Sequence, residues 1–202
     1  MAFNIKNYFK NYFKKKSLFS KITDFILITL IVLLIIPATR TEVASFFIKL
    51  TSLPPSTLET DEQFPVSDNV ANWQLTDMQG NMISFEELNK KPVFLNIWAT
   101  WCPPCVAELP GIEELQKEYG EDVNFIMDTN EDKSTVEAFI KKHNYQDLKI
   151  YYSPTLPSDF STQSIPATFV LDNTGKVLII KKGAARWNSS KMKNLFNRLI
   201  KE

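Results

Sequence analysis

The stretch "PVFLNIWATWCPPCVAELPGIEELQKEYG", residues 92–120, constrains the fold more than any other part of the chain. From Val93 to Ala99 it is apolar apart from Asn96, and a short continuous run of this kind reads as a strand buried on both faces. Beyond it, Val106, Leu109, Ile112 and Leu115 fall on one side of a helix that Gly120 ends. Pro110 lies inside that helix and should kink it, because it brings no N–H for the carbonyl of residue 106. Between strand and helix stand Cys102 and Cys105, the only two cysteines among 202 residues. Whatever else the chain does, it must hold a thiol pair in a strand-to-helix turn.

The flanking segments complete a recognisable layout. "NWQLTDMQGNMISFEEL" alternates apolar and polar residues around Gln79-Gly80, as two short strands joined by a turn would. "VNFIMD" reads as a second buried strand, and Ser134 to His143 as a second helix opened by a Ser N-cap. "SIPATFVLDNTGKVLIIKKG" reads as strand, Asn-Thr-Gly turn, strand, and Ser189 to Ile200 as a closing amphipathic helix. Strand–helix–strand–helix, then an antiparallel hairpin and a last helix, predicts an α/β fold with a mixed sheet and helices on both faces. The length suits one domain with an appendage, and 44% hydrophobic residues supply an ordinary core.

The appendage is N-terminal. "FILITLIVLLII", Phe25 to Ile36, extends to about 17 residues between Ile22 and Ala38, roughly 26 Å as a helix at 1.5 Å per residue. That is the short limit for crossing a hydrocarbon core of about 30 Å, and a transmembrane anchor over 22–39 is expected, with a cleaved signal peptide as the alternative. Six lysines precede residue 22 with no acid among them, which puts the N-terminus in the cytoplasm and the C-terminal domain outside. The repeat in "KNYFKNYFKKK" makes residues 1–21 a basic amphipathic segment suited to the inner face of a lipid bilayer. Val43, Phe46, Phe47, Leu50 and Leu53 keep helical spacing after the span, either as a juxtamembrane helix or as the ragged end of the anchor. Residues 40–64 are assigned to this segment and a linker, "LPPSTLETDEQFPVSD" being rich in Pro, Ser and acids. The folded domain is expected over 65–202. Setting the six lysines aside leaves 17 basic against 23 acidic residues, about −6, and a negative body excludes nucleic acid as a partner.

Several chemistries use a C-x-x-C spacing. Zinc needs about four ligands, and the chain adds only His143 to the two cysteines. Covalent haem attachment needs His after the second Cys, where Val106 stands. A structural disulfide closing so short a loop restrains the unfolded chain little. Reversible thiol–disulfide exchange fits best. Cys102 would sit near a helix N-terminus, where unpaired N–H groups and the macrodipole favour thiolate. Its sulfur is expected to be exposed, and Cys105, one turn on, can attack a mixed disulfide formed there.

"VFLNIWATWCPPCVAELP" followed by "SIPATFVLDNTGKV" resembles the membrane-anchored, extracytoplasmic thioredoxin-like proteins of the TlpA/ResA type. The resemblance covers about residues 65–202, including the added N-terminal β-hairpin that separates this group from plain thioredoxin. It implies a thioredoxin-like fold, protein-disulfide oxidoreductase activity, and a redox-active Cys102–Cys105 disulfide with no cofactor and no metal. Cys102 resembles the nucleophile and Cys105 the resolving thiol. Pro166 resembles the cis-proline facing the disulfide, with Ile165 offering its backbone to an extended client strand. Trp101, Pro103 and Pro104 belong to the same docking surface, while Trp98 is expected in the core and His143 on the surface. Pro110 matches the group's kinking proline. Where plain thioredoxin has a buried acid, Asn96 stands and cannot titrate. Glu108, three residues after Cys105 and on a neighbouring helix face, matches a carboxylate these proteins often carry. It is assigned to proton handling and to raising thiol pKa values by like-charge repulsion, against the plainer reading of a solvated helix glutamate.

The direction of electron flow follows from what lies between the cysteines. Strong oxidants hold a nucleophile pKa near ~3.5, against about 7 in thioredoxin, and so stabilise their reduced form. Pro103 and Pro104 supply neither charge nor N–H donors, and a reductant is expected. Its partners would be disulfide-bearing exported client proteins and a membrane electron donor that recharges it. The resemblance allows apocytochrome c or metal-site cysteines as clients without choosing between them. A peroxiredoxin-like thiol peroxidase is the alternative enzyme class, although Ala99 stands where its activating Thr would be. A non-catalytic thioredoxin-fold binding module is the other.

Overall fold

The strand that precedes the cysteines becomes the middle of one eight-stranded sheet. The computed structural model describes residues 17–59 and 62–201. The chain runs α1 (Leu18–Ile35), α2 (Pro37–Thr51), β1 (Phe64–Pro65), α3 (Asp68–Ala71), β2 (Gln74–Asp77), β3 (Met82–Ser84), α4 (Phe85–Leu88), β4 (Val93–Ile97), α5 (Pro103–Tyr119), β5 (Asn124–Thr129), α6 (Lys133–His143), β6 (Ile150–Tyr152), β7 (Ala167–Leu171), β8 (Lys176–Lys182) and α7 (Ser190–Leu199). The strand order is β1-β8-β7-β4-β5-β6-β2-β3. β4, β5 and β6 are mutually parallel, and the pairings β4–β7, β7–β8, β1–β8, β2–β3 and β2–β6 are antiparallel. The sheet is therefore mixed, as the sequence predicts.

The crossovers β4-α5-β5 and β5-α6-β6 step in the same direction, and right-handed connections then put both helices on one face. Phe94, Trp98, Phe125 and Met127 point to that face, where Leu109, Ile112 and Leu115 of α5, Val136 and Ile140 of α6, and Leu195, Phe196 and Leu199 of α7 meet them. Val93, Leu95, Ile97 and Ile126 alternate to the other face, against Val70, Trp73, Phe85 and Phe160. Among the described residues, the one-turn helices α3 and α4 and the 3-10 turn Ser158–Phe160 cover that side, while the three long domain helices share the other layer. The helix expected to open at a Ser134 cap instead starts at Lys133 with Asp132 as N-cap. Ser189 does cap α7, accepting from the Met192 N–H at 3.4 Å.

The N-terminal region departs from expectation. The amphipathic segment 1–21 lies outside the described residues up to residue 16. The span expected over 22–39 is not one helix. α1 stops at Ile35, Ile36 turns to φ −73, ψ 118, and α2 begins at Pro37; a residue before proline is driven from the helical region. Lys21 and Asp24 occupy the first two turns of α1, leaving eleven residues from Phe25 to Ile35, about 17 Å of helix. Among the described residues, no helix is long and apolar enough to cross a membrane. α2 is instead laid across the domain. The buried Ser45 hydroxyl donates to the Pro103 carbonyl at 2.6 Å, Glu42 pairs with Lys142 at 2.9 Å, and the Arg186 N–H donates to the Leu53 carbonyl at 3.0 Å. Phe46, Phe47, Leu50 and Leu53 stay exposed. The stretch expected to be a free linker also follows the domain: the Leu58 N–H donates to Leu178 O at 2.8 Å, and β1 pairs with β8.

Candidate redox site

The geometry at the end of β4 follows from how a helix must begin. The first N–H groups of α5 have no intrahelical partner, and Cys102 is its N-cap, with the Cys105 N–H donating to the Cys102 sulfur at 3.3 Å. Pro103 and Pro104 fill the first helical positions, where a missing N–H forfeits nothing. The two sulfurs are joined as a disulfide, with Cα atoms 5.2 Å apart. The turn before Cys102 is fixed from outside: the Thr100 N–H and hydroxyl donate to the two Glu131 oxygens at 2.6 and 2.8 Å. Opposite the disulfide, the Ile165–Pro166 peptide is cis, and the Ile165 carbonyl lies 3.7 Å from the Cys102 sulfur.

Exposure corrects one expectation. Cys102 is only 2% exposed, not open to solvent. Its sulfur is shielded by the Ile165 loop, while α2 sits on the neighbouring Pro103 carbonyl. Trp101 next to it is 64% exposed, so the disulfide lies immediately beneath the surface. Trp98 is buried in the core against Phe139. His143 is half-buried on α6, its ring tilted against Phe139 and stacked on Tyr145, and among the described contacts it does not approach the disulfide.

Glu108 is 4% exposed and is no solvated helix residue. It follows Cys105 by three positions, so both point inward from α5. Asn96 donates from Nδ2 to Glu108 Oε1 at 2.8 Å and to the Thr168 hydroxyl at 2.7 Å. Oε2 accepts from the Trp187 indole N–H at 2.8 Å and from the Ala185 N–H at 3.1 Å. Burial pushes the carboxyl up to about 7, against these three donors, which pull it down. Asn96 thus supports the acid with a hydrogen bond instead of supplying one. Its role, and that of Trp187, could not be read locally: Trp187 lies 79 residues from Glu108 in the chain.

A second buried acid stands on the far side of the turn. Asp128, at the end of β5, is 2% exposed, and burial raises it to about 7. Its Oδ2 accepts from the Ser153 hydroxyl at 2.8 Å. Its Oδ1 is buried and has no hydrogen-bond partner among the described residues. An acid within the apolar run "VNFIMD" was the signal available in the sequence.

The arrangement suits two-electron exchange: a disulfide at a helix start, an extended backbone facing it, and a titratable carboxyl one helical turn behind. Comparison with known proteins agrees. The Redoxin family matches residues 59–196. The chain is 32% identical over 120 residues to thiol-disulfide oxidoreductase ResA of Bacillus cereus, covering 58% of this chain and 69% of that protein. It is 32% identical over 117 residues to the thioredoxin-like protein YneN of Bacillus subtilis, covering 55% and 68%. Among solved structures, a thiol:disulfide interchange protein DsbE from Chlorobium tepidum superposes with a TM-score of 0.55 at 18% identity, over 65% of this chain and 94% of that one. At that identity the likeness concerns the fold alone.

Proposed function

We propose, on the premise that the chain belongs to the Redoxin family and is a thioredoxin-fold thiol-disulfide oxidoreductase, that it reduces disulfides of exported client proteins through Cys102 and Cys105. The observation that carries this reading is the disulfide held at the start of α5 with the buried Glu108 carboxyl on the same helix. In the reduced protein, Cys102 thiolate attacks one sulfur of a client disulfide, forming a mixed disulfide and releasing the client's other sulfur as thiolate. Cys105 then loses its proton, attacks the Cys102 sulfur and expels the second client thiolate. Two electrons have passed to the client, and the Cys102–Cys105 bond described above is the oxidised product. A carboxyl near pH 7 takes the Cys105 proton and returns it with little penalty in either direction, which is the part assigned to Glu108. While ionised, it also disfavours nearby thiolate.

The prolines at 103 and 104 support the reducing direction, because nothing between the cysteines stabilises a dithiolate form. Since Cys102 lies just beneath the surface, a client enters when the Ile165 loop or α2 yields. Trp101 and the backbone of Ile165 and Pro166 then frame the extended client segment. Work outside the cytoplasm is supported by the six lysines ahead of an apolar segment, and by the exposed apolar faces of α1 and α2, which suit a lipid surface. A reductant there requires an electron donor in the membrane to reopen its disulfide. The test is reduction of insulin disulfides by the full chain with a dithiol donor: turnover that disappears in Cys102→Ser is expected, and turnover unchanged in that variant would refute the reading.

A further inference from the structure

A cleft of about 550 Å³ opens beside the disulfide, between the turn that carries Trp101 and the loop that ends at Ile165. Both borders touch the redox site. Trp101 adjoins Cys102, and the Ile165 carbonyl lies 3.7 Å from the Cys102 sulfur. A polypeptide whose cysteine is engaged at Cys102 therefore passes the mouth of this cleft.

The lining has a single charge. Of the sixteen residues around the cleft, Asp128 alone is ionisable near neutral pH. Ile97, Trp98, Pro154 and Leu156 contribute apolar walls. At the end of β5 the carboxyl is tied down on one oxygen only, by Ser153, which also lines the cleft. The other oxygen is buried without a donor among the described residues. A buried acceptor left unmatched is costly, more so when charged, and buried polar atoms in folded proteins nearly always find a partner. Asp128 is among the residues that line the cavity, so a small rotation of its side chain would present the unmatched Oδ1 to a donor from another molecule.

We propose that this cleft is a client subsite that takes a basic side chain, lysine or arginine, lying a few residues from the client's cysteine, with Asp128 as the residue that selects it. The apolar walls accommodate the methylene stem, as they do for any snorkelling basic residue. The exposed Trp101 ring flanks the entrance and adds a face on which a cation rests favourably. Asp128 is a specificity residue, with no part in the bond exchange. The inference rests on the reductase reading given above and specifies which clients it accepts.

The experiment uses the full chain and a set of disulfide-containing peptides. One lysine is scanned from three residues before to three residues after the reacting cysteine, with norleucine and glutamate counterparts at each place. At one position or more, the lysine peptide should show a KM at least fivefold below that of its norleucine match, with similar kcat, and glutamate should be poorer still. Asp128→Asn should bring the lysine-to-norleucine KM ratio to near one and leave kcat on the norleucine peptide unchanged. Acetylating the lysine should do the same to the wild-type protein, which keeps the test independent of how the variant folds. Equal KM values at every position, or a lysine preference that survives both Asp128→Asn and acetylation, would overturn the subsite. Failure to reduce even the norleucine peptides would instead refute the reductase reading.

Discussion

Two buried carboxyls flank the redox turn, and they differ in how they are held. Glu108 and Asp128 are 4% and 2% exposed, and burial raises each to about 7. Glu108 accepts three hydrogen bonds shared over both oxygens. Asp128 accepts one, and its second oxygen has none among the described residues. A similar shift therefore arises from two different environments. Within a low-dielectric interior, a fully satisfied polar network is rigid and specific, whereas an unmatched group is strained. Glu108 is built into the protein's own network and suits proton traffic with the thiols. Asp128 is half-finished at a cleft wall and suits a partner from outside.

The two acids should separate most visibly in kinetics. Glu108→Gln keeps the shape and loses the titration, so resolution of the mixed disulfide by Cys105 should slow on the order of 10²-fold, and the pH–rate limb near 7 should vanish. Asp128→Asn should leave that step and that limb in place. Stopped-flow measurement across pH 5 to 9 distinguishes them; equal slowing in both variants would erase the distinction drawn here.

Stability, by contrast, should respond to both acids alike. Each carboxyl binds its proton more tightly folded than unfolded, so between its ordinary value near 4 and about 7 the native state holds more protons. Stability is then greatest below this window and falls as pH rises through it, by on the order of 3 kcal/mol for each group. Urea titrations at pH 5 and pH 8 should show the loss, and either amide variant should flatten the profile. A wild-type protein that gains stability over the same interval would contradict the burial assigned to both.

Smaller effects come from the partners. Trp187→Phe removes a donor that favours ionised Glu108, so the kinetic limb should move to higher pH by up to one unit, about 1 kcal/mol. Ser153→Ala removes the one side-chain donor that Asp128 has among the described residues and should lower stability at pH 8 by about 1 kcal/mol, without moving the limb. A Ser153→Ala shift in the thiol kinetics would show that Asp128 is coupled to the cysteines after all.

How much of this was legible depended on sequence distance. The strand, the CPPC turn and the helix after it could be read because each signal is local: an apolar run, a proline pair at a helix start, apolar spacing that Gly120 ends. The β7–β8 hairpin was also local, since Asp172 Oδ1 accepts from the Thr174 and Lys176 N–H groups to shape the turn. The partners of Glu108 were not, for Asn96, Ala185 and Trp187 converge on it only when β4, α5 and the segment after β8 are assembled. The short β6 escaped because three residues, Ile150 to Tyr152, give no periodicity to detect. The apolar N-terminal run looked long enough to span, but Pro37 ends its helix at Ile35 and Asp24 sits inside the expected span near its start. The burial of Cys102 was invisible for the same reason as Glu108's network: it depends on Ile165, 63 residues away.

In the proposed mechanism the Cys102 sulfur makes the bond to the client and Cys105 releases it. Mass spectrometry of mixed disulfides trapped on the full chain tests it most directly. Cys105→Ser should accumulate client covalently bound at Cys102, and Cys102→Ser should accumulate none. Client bound at Cys105 in the Cys102→Ser protein, with none held by Cys105→Ser, would contradict it.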